Sequence, residues 1–339
     1  MPDKNLNVIN NNHAKKSKRK KLFLFLLLPF LILTSAVVAY GYNIYSTAQE
    51  SLENSFEDVE RKQEGVSNLR ADTVDPVEDN VSILIIGIDE SEEREKEQYY
   101  RSDALLLATF NKKENNIKLL SIPRDSRVYV PEVGYETKIN HAHFYGGPKA
   151  TIETVEEFLN VPVDYYVSIN FKAFMDVIDV IGGIDFNVPY DISEINAKGQ
   201  RNKVVIEKGY QHLDGEQALA LARTRKQDTD FNRGQRQQEI IKTVAKKLAS
   251  SSSVLKIDDI IEAVGNNMKT NLTFNNITSF LSYGMSTNLS IETLNLLGDG
   301  GKMDDGLWYY NVDEESRSIA EKELRRHLNL PVNIPDPIQ

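Results

Sequence analysis

The chain has 339 residues, with 40 Lys and Arg against 50 Asp and Glu, a formal net charge of −10 and no cysteine. An acidic protein is a poor nucleic-acid binder, because attraction to the phosphate backbone needs a basic surface. The absence of cysteine excludes thiol nucleophiles, cysteinyl zinc sites and disulfide frameworks. Any catalysis must therefore depend on oxygen and nitrogen groups.

The charge is unevenly distributed along the chain. Residues 1–21 contain seven basic side chains and one acid, a balance of +6, and an apolar run without charge follows over residues 22–42. At about 1.5 Å per residue this run crosses the hydrocarbon core of a bilayer, so it predicts one transmembrane helix. Basic residues before a span stay on the cytoplasmic side. We therefore expect a cell-membrane protein with a cytoplasmic tail over 1–21 and an extracytoplasmic remainder.

A cleaved secretory signal is the alternative for the same apolar run. The apolar core of a signal peptide is usually about 7–15 residues long, and this run exceeds it. The prediction is therefore an uncleaved anchor. In either case the bulk of the chain lies outside the cytoplasm.

Residues 43–79 are rich in acids, with Leu52, Phe56, Val59, Val66 and Leu69 at partly heptad-like spacing. This pattern predicts a helical stalk followed by a polar linker. A catalytic domain is predicted over residues 80–330, and residues 331–339 form a tail.

The predicted domain alternates strands and helices, which favours an α/β fold: an α-β-α sandwich with a mixed central sheet, preceded by the single transmembrane helix. Apolar runs predict strands over 81–89, 104–110, 117–122, 165–169, 184–188 and 291–297. Helical spacing covers residues 150–159, 171–181, 215–222, 232–249, 258–266, 274–283 and 313–327. Asp214 and Gln217 predict a capping box at the start of the third of these helices.

Two aspartates stand at the ends of neighbouring predicted strands. Asp89 ends the first strand, and Arg101-Ser102-Asp103 opens the second. Because ligands of α/β sheets gather at strand ends, two carboxylates there suit Mg²⁺. The alternative is that Asp89 begins a turn and Asp103 caps an element.

Arg124 follows the third predicted strand, directly after Pro123. The proline ring fixes the backbone, so it can direct the guanidinium away from the sheet. This arrangement is compatible with anion binding, and equally with a solvated Arg124–Asp125 pair in a turn.

The densest basic segment lies within residues 222–237. Arg223 and Arg225 point to one side if that part of the chain is extended. Arg233, Arg236 and Gln237 share a face in the first turns of the predicted helix 232–249, where the helix dipole disfavours cations unless an anion is bound. Guanidinium groups suit phosphate oxygens. The segment therefore predicts an anion site, with a solvated basic loop as the alternative.

Together these motifs resemble the LytR-CpsA-Psr family of cell-wall glycopolymer ligases. The motifs, in order, are IGID (86–89), RSD (101–103), SIPRD (121–125), KIN to YGG (138–147), VDYYV (163–167), IGGI (181–184), LDGEQA (213–218), ARTR (222–225) and DFNRGQRQ (230–237). The resemblance implies an α/β sandwich whose pocket holds a polyprenyl-pyrophosphate lipid. It also implies transfer of a glycopolymer, such as wall teichoic acid, onto peptidoglycan through a phosphodiester bond, with Mg²⁺ assisting.

The resemblance also implies roles for single residues. The metal aspartates correspond to Asp89 and Asp103. Asp230 is a candidate base or positioning residue, although the short spacing after Arg225 leaves Asp228 as its alternative. The pyrophosphate ligands correspond to Arg101, Arg124, Arg223 and Arg225, supported by Arg233 and Gln237, and the shared face adds Arg236. Arg124, Asp230, Arg223 and Arg225 are the predicted catalytic residues.

Phosphoryl transfer depends mainly on positioning and charge neutralisation, so such a site needs no covalent nucleophile. Apolar segments 171–181 and 204–206 are the candidate lining of a lipid slot, ordinary core being their alternative. The expected partners are the lipid-linked glycopolymer, peptidoglycan and the membrane, without nucleic acid. Competing functions are a polyprenyl-pyrophosphate pyrophosphatase and a noncatalytic lipid-binding regulator of the envelope.

Overall fold

The computed structural model describes residues 46–47, 49–61, 65–76, 78–89, 100–196, 200–225, 230–249, 257–286 and 289–332. The chain divides into residues 1–50 and 51–339, and the fold described below belongs to the second unit. The predicted tail 1–21 and transmembrane helix 22–42 lie outside the described residues. Among the helices that are described, none is long and apolar enough to cross a bilayer.

Strands and helices are interspersed through the described part of residues 81–327. The strands are β1 (Val81–Ile88), β2 (Ser102–Asn111), β3 (Asn116–Ser121), β4 (Arg127–Val130), β5 (Tyr135–Lys138), β6 (Tyr165–Asn170), β7 (Ile184–Val188), β8 (Ile192–Glu194), β9 (Val204–Ile206), β10 (Gly209–Leu213), β11 (Met268–Thr270), β12 (Ser290–Asn295), β13 (Gly298–Lys302) and β14 (Trp308–Val312). The helices are α1 (Asn140–Leu159), α2 (Phe171–Val180), α3 (Gly215–Arg223), α4 (Asp230–Leu248), α5 (Ile257–Val264), α6 (Phe274–Ser286) and α7 (Glu314–His327).

Six strands form a mixed sheet in the order β11-β6-β1-β2-β3-β12. β1 runs parallel to β6 and antiparallel to β2, while β3 runs antiparallel to β2 and parallel to β12. The carboxyl ends of β1, β3 and β6 therefore meet at one edge, together with the amino end of β2. The predicted α/β fold with a mixed sheet is confirmed, and its topology brings the motifs IGID (86–89), RSD (101–103) and SIPRD (121–125) to this edge.

Each face of the sheet is covered by helices, because both sets of alternating side chains are apolar. On one face Leu84, Leu107 and Tyr166 join a buried cluster with α1 and α7 residues such as Ile152 and Leu324. On the other face Leu106, Ala108 and Leu119 form a second cluster, against which Ile241 of α4 packs. α2 and α3 join α4 in a third cluster on the side of β7 to β9.

Local capping fixes the start of α2 and α3. The side chain of Asn170 accepts a hydrogen bond from the backbone N–H of Ala173 at 2.9 Å. Asp214 accepts from the Gln217 N–H at 2.8 Å, and the Gln217 side chain accepts from the Asp214 N–H at 3.1 Å. The predicted capping box is therefore confirmed, and it sets where α3 begins beside the sheet.

The predicted stalk differs from the structure. From residue 51 onward the described part of this segment packs on the fold: Leu52, Val59 and Val66 are all less than 5% exposed. The Tyr166 hydroxyl donates to the Glu57 carbonyl at 2.8 Å. The apolar spacing therefore buries side chains against this domain, where the prediction had assumed a separate coil.

Helix α1 begins at Asn140, before the predicted start at residue 150. Gly146 and Gly147 interrupt it with non-helical backbone angles, Gly147 having φ 63° and ψ −149°. The glycine pair and Pro148 hid the first turns from a periodicity argument. The hairpins β4–β5, β8–β9 and β13–β14 are too short to give an apolar run and had no counterpart in the prediction.

His327 gives the fold a predictable sensitivity to acid. The ring is 3% exposed and its Nδ1 lies 2.7 Å from the Thr109 hydroxyl. Burial, helped by Lys118, lowers the pKa of His327 from 6.5 to about 4. The folded protein therefore binds fewer protons than the unfolded chain, and acid favours unfolding below the unfolded pKa.

We expect the contribution of His327 to disappear progressively as the pH falls from 6.5 towards 4. Urea unfolding of the purified protein at pH 7 and pH 5 measures it. His327→Gln keeps a hydrogen-bonding side chain but binds no proton. Between pH 7 and pH 5 its free energy of unfolding should therefore fall by about 1–2 kcal/mol less than that of the wild type. Equal losses in both proteins would contradict this assignment.

Candidate active site

A cavity of about 270 Å³ opens between the sheet and helices α2, α3 and α4. Its inner lining is apolar and its charged residues come from the strand ends and helix ends. The apolar lining comprises Ile85, Ala104, Leu106, Ile169, Phe171, Phe174, Leu219, Ala222, Ile240 and Ile241. The polar lining comprises Asp103, Arg124, Asn170, Arg223, Arg225, Arg233 and Gln237. Such a cavity suits an amphiphile with an apolar chain and an anionic headgroup.

Asp103 reaches the cavity through a β-bulge. Gly87 pairs with Ala104 and Ile88 pairs with Ser102, so Asp103 is the extra residue between the two pairs. A bulge redirects the side chain of the extra residue, and Asp103 accordingly lines the cavity. Asp89 directly follows β1 and is half-buried, but it is not among the lining residues.

Arg124 is held at the end of β3 by carboxylates. Its Nη1 donates to Asp103 Oδ1, and its Nε lies 3.6 Å from Asp125 Oδ2. Asp125 in turn accepts from Lys138 Nζ at 2.9 Å. The predicted effect of Pro123 agrees with this geometry, because the guanidinium projects from the strand end and lines the cavity.

Arg223 and Arg225 both line the cavity, as their spacing predicted. Thr224 between them ends α3 with φ −57° and ψ 139°, which is extended backbone. The Arg223 guanidinium lies over the Phe171 ring, 4.4 Å from its centroid. This cation–π contact positions Arg223 at the cavity wall, and both arginines are exposed to solvent.

Arg233 and Gln237 enter from the first turns of α4, and Arg233 is only 5% exposed. The helix can approach the sheet this closely because of Gly234: a Cβ there would lie 2.7 Å from the Ser121 hydroxyl oxygen. A larger residue would require either the Ser121 hydroxyl or the start of α4 to move. The glycine therefore permits the close approach that brings Arg233 towards the strand ends.

Arg236 has a different position from the one predicted. It is 6% exposed and is not among the cavity-lining residues. Its Nε donates to the Leu221 carbonyl at 2.6 Å and its Nη2 to the Thr224 carbonyl at 2.7 Å. These carbonyls end α3, so Arg236 joins α4 to the C-terminus of α3. It shares a helical face with Arg233, but its partners include these two backbone carbonyls and the Tyr190 hydroxyl, to which its Nη1 donates at 3.3 Å.

Arg101 also stands apart from the cavity lining. Its guanidinium lies 5.9 Å from the centroid of the Phe144 ring. Burial, and then the charges of Arg101 and Lys138, lower the pKa of the nearby His141 to about 4. His141 is therefore neutral at neutral pH.

Asp230 is the first residue of α4, and Asp228 lies outside the described residues. Asp89 and Asp103 remain the candidate metal ligands: their positions follow from the Ile88–Ser102 pairing of β1 and β2. No group of three or more His, Asp or Glu able to hold a metal occurs among the residues that the structure describes. Two carboxylates are nevertheless enough for Mg²⁺ when a substrate supplies phosphate oxygens.

Sequence reasoning missed Asn170 and Leu219, which both line the cavity. Asn170 had a usable signal, because it caps a helix directly after a buried strand. The first predicted lipid-slot segment, 171–181, contributes Phe171 and Phe174 to the cavity lining. Residues 204–206 do not, since Val204 and Ile206 are buried in the cluster of α3 and α4.

Comparison with known proteins agrees with this geometry. The polyisoprenyl-teichoic acid–peptidoglycan teichoic acid transferase TagT of Bacillus subtilis is 39% identical over 327 residues, covering 95% of this chain and 99% of that protein. The solved structure of TagT bound to LIIa-WTA has a TM-score of 0.69 at 38% identity, covering 81% of this chain and all of that one. TagT with bound octaprenyl pyrophosphate lipid has a TM-score of 0.64 at 35% identity, covering 80% of this chain and 100% of the other.

The family assignment rests on most of the chain. Residues 38–326 match the LytR_cpsA_psr family. The match extends on the N-terminal side of β1 and includes the segment that packs on the fold before residue 80. Every motif quoted above lies within it. The chain belongs to the LytR_cpsA_psr family.

Proposed function

We propose that this protein is a membrane-anchored phosphotransferase that moves a glycopolymer, such as wall teichoic acid, from a polyprenyl-pyrophosphate carrier onto peptidoglycan. The anchor is the apolar segment 22–42, and the catalytic domain is extracytoplasmic. The observation that carries the proposal is the two-part cavity, which is apolar inside and bears four arginines at its polar part: Arg124, Arg223, Arg225 and Arg233. The transferase activity of TagT, as its name gives it, and its lipid-bound structure support the same assignment.

The arginines act on the pyrophosphate of the carrier. Planar guanidinium groups bind phosphate oxygens in pairs and neutralise their charge. The acceptor hydroxyl oxygen forms a bond with the phosphorus that bears the glycopolymer, and the bond from that phosphorus to the bridging oxygen breaks. Polyprenyl phosphate leaves, and the arginines stabilise the negative charge that develops on it.

A carboxylate accepts the proton of the attacking hydroxyl group. Asp230 at the start of α4 is our candidate, with Asp228 as its alternative.

Mg²⁺ is part of the proposal, with Asp89 and Asp103 as its protein ligands. The donor set fits a hard cation: both residues offer carboxylate oxygens at the same strand ends, and Arg124 engages one oxygen of Asp103. Bound there, Mg²⁺ would neutralise charge on the pyrophosphate. Arg124 would balance the Asp103 carboxylate when no cation is present.

The deciding experiment is a reaction of the purified protein with lipid-linked glycopolymer and a soluble peptidoglycan acceptor. We expect a phosphodiester-linked product, together with polyprenyl phosphate that mass spectrometry detects. Hydrolysis of the carrier without any linked product would assign a pyrophosphatase. Lipid binding with neither product would assign a noncatalytic regulator.

A narrowed cavity should lose the lipid. Ala222 lines the apolar part, so Ala222→Phe adds a ring where the chain of the carrier would lie. We expect about tenfold less copurified polyprenyl lipid by mass spectrometry, because steric exclusion acts directly on binding. Val205→Phe, at a position that is 63% exposed, is the matched control and should keep the wild-type amount. Equal lipid in both variants would place the lipid elsewhere.

A further inference from the structure

Exposed aromatic side chains cluster on β5 and the first turns of α1. Tyr135 is 50% exposed, Phe144 38% and Tyr145 36%. The rings are in contact: Tyr135 and Tyr145 lie 6.5 Å apart at 72°, and Phe144 and Tyr145 lie 5.6 Å apart at 69°. We call these three residues the aromatic surface.

The aromatic surface is ordered by its own contacts. The hydroxyl groups of Tyr135 and Tyr145 are hydrogen-bonded at 3.0 Å, and the His141 ring meets the Tyr145 ring edge-on at 6.2 Å. Edge-to-face packing holds rings in defined orientations. Single exposed apolar residues are common, whereas a contiguous patch rimmed by polar groups indicates an interaction site.

The aromatic surface adjoins the polar part of the cavity by two connections. Arg101 lies over Phe144 and is followed within β2 by Asp103, which lines the cavity. Lys138 at the end of β5 is paired with Asp125, the neighbour of Arg124. A molecule lying on the rings would therefore reach the arginines where the pyrophosphate is proposed to bind.

The direction of attack selects the occupant. In phosphoryl transfer the attacking and leaving oxygens are roughly in line across the phosphorus. The leaving polyprenyl phosphate keeps its chain in the apolar cavity, so the acceptor hydroxyl must approach from outside. The aromatic surface flanks this approach on the side of β2 and β5.

We propose that Tyr135, Phe144 and Tyr145 form the acceptor subsite, on which the glycan strand of peptidoglycan lies. The inference rests on the function proposed above. Sugar rings present apolar C–H faces that stack on aromatic rings, and tyrosine hydroxyls offer hydrogen bonds to sugar hydroxyls. Arg101 and Lys138 add positive charge, which favours the carboxylates of peptide-bearing glycan.

Transfer kinetics at saturating lipid-linked donor test the subsite in the full-length protein. Tyr145→Ala should raise the KM for a soluble peptidoglycan oligomer about tenfold or more, with kcat changed far less. Tyr145→Phe keeps the stacking ring and loses only the hydroxyl, so its KM should rise much less than that of Tyr145→Ala. Tyr210→Ala is the matched control, since Tyr210 is 77% exposed on β10, away from these residues. An unchanged KM in Tyr145→Ala would overturn the proposal.

A binding measurement separates this inference from the proposed function, because it needs no turnover. Cosedimentation with wall sacculi stripped of teichoic acid should show binding that weakens about tenfold in Tyr145→Ala and in Tyr135→Ala, but not in Tyr210→Ala. Undiminished binding of both variants would overturn the subsite even if transfer occurs. Weakened binding to purified teichoic acid, with sacculus binding intact, would also overturn it. If the wild type fails to transfer, weakened sacculus binding still supports the glycan surface alone.

Folding is checked by thermal unfolding of each variant, since truncation of exposed side chains should leave the midpoint nearly unchanged. Tyr135 and Tyr145 lie on different elements, a strand and a helix. If either Tyr135→Ala or Tyr145→Ala fails to fold, the other variant tests the subsite. Tyr145→Phe provides a further test at position 145.

Discussion

Arg124→Ala should abolish most of the transfer activity while leaving the protein folded. Arg124 combines a place in the cavity lining with an ion pair to Asp103, whose side chain is 30% exposed. Removal of one donor to developing negative charge typically lowers kcat by about 10²–10³. Because Asp103 stays in contact with solvent, we expect the free energy of unfolding to change by less than about 1 kcal/mol.

The measurement is kcat/KM in the reconstituted transfer reaction, beside urea unfolding. Arg124→Lys should recover only part of the activity, since an ammonium group keeps the charge but loses the planar pair of donors. Arg127→Ala is the matched control: Arg127 lies on β4 in an exposed pair with Glu136 at 2.8 Å. A loss of stability in Arg124→Ala comparable to a core deletion would make Arg124 a structural residue.

Arg236→Met should have the opposite phenotype. The substitution keeps an unbranched apolar side chain but removes the donors to the Leu221 and Thr224 carbonyls at the end of α3. Buried carbonyl groups without partners are costly, so we expect the free energy of unfolding to decrease by about 3 kcal/mol. Burial also lowers the pKa of Arg236, which agrees with a guanidinium enclosed by protein.

Urea unfolding measures this loss, with Arg326→Met as the control. Arg326 is an exposed arginine on α7, paired only three residues away with Glu323 at 3.1 Å, so its removal should cost well under 1 kcal/mol, as for most surface pairs. If Arg236→Met unfolded like the wild type and instead lost the lipid, Arg236 would belong to the anion site after all.

Arg233 and Arg236 show how much of the site could be predicted from the sequence. Arg233 and Arg236 share a helical face, and periodicity alone gives both the same direction. In the structure Gly234 brings Arg233 against the strand ends, whereas Arg236 meets the end of α3. Which neighbour each guanidinium meets depends on the packing of α3 against α4, and this is tertiary information that no local pattern contains.

The same distinction applies to the fold. The central strands were predictable because short apolar runs rich in β-branched residues are typical of buried strands. Of the five apolar residues in the predicted stalk, Leu52, Val59 and Val66 are buried whereas Phe56 is 45% exposed, and their spacing could not indicate what buries them. Arg223 and Arg225 were predictable as a pair, because one extended residue between them places both on one side.

The packing of the segment before β1 decides where a soluble form of the protein can begin. Arg70 donates to both oxygens of Asp164 at 2.9 and 2.7 Å, and Asp164 is 4% exposed. A protein truncated at residue 80, the boundary that composition alone favours, would keep this buried carboxylate without its cation, at a typical cost of about 3–5 kcal/mol. Expression of the folded domain should therefore start before Leu52, so that the chain retains both the apolar contacts and the charge that the sheet requires.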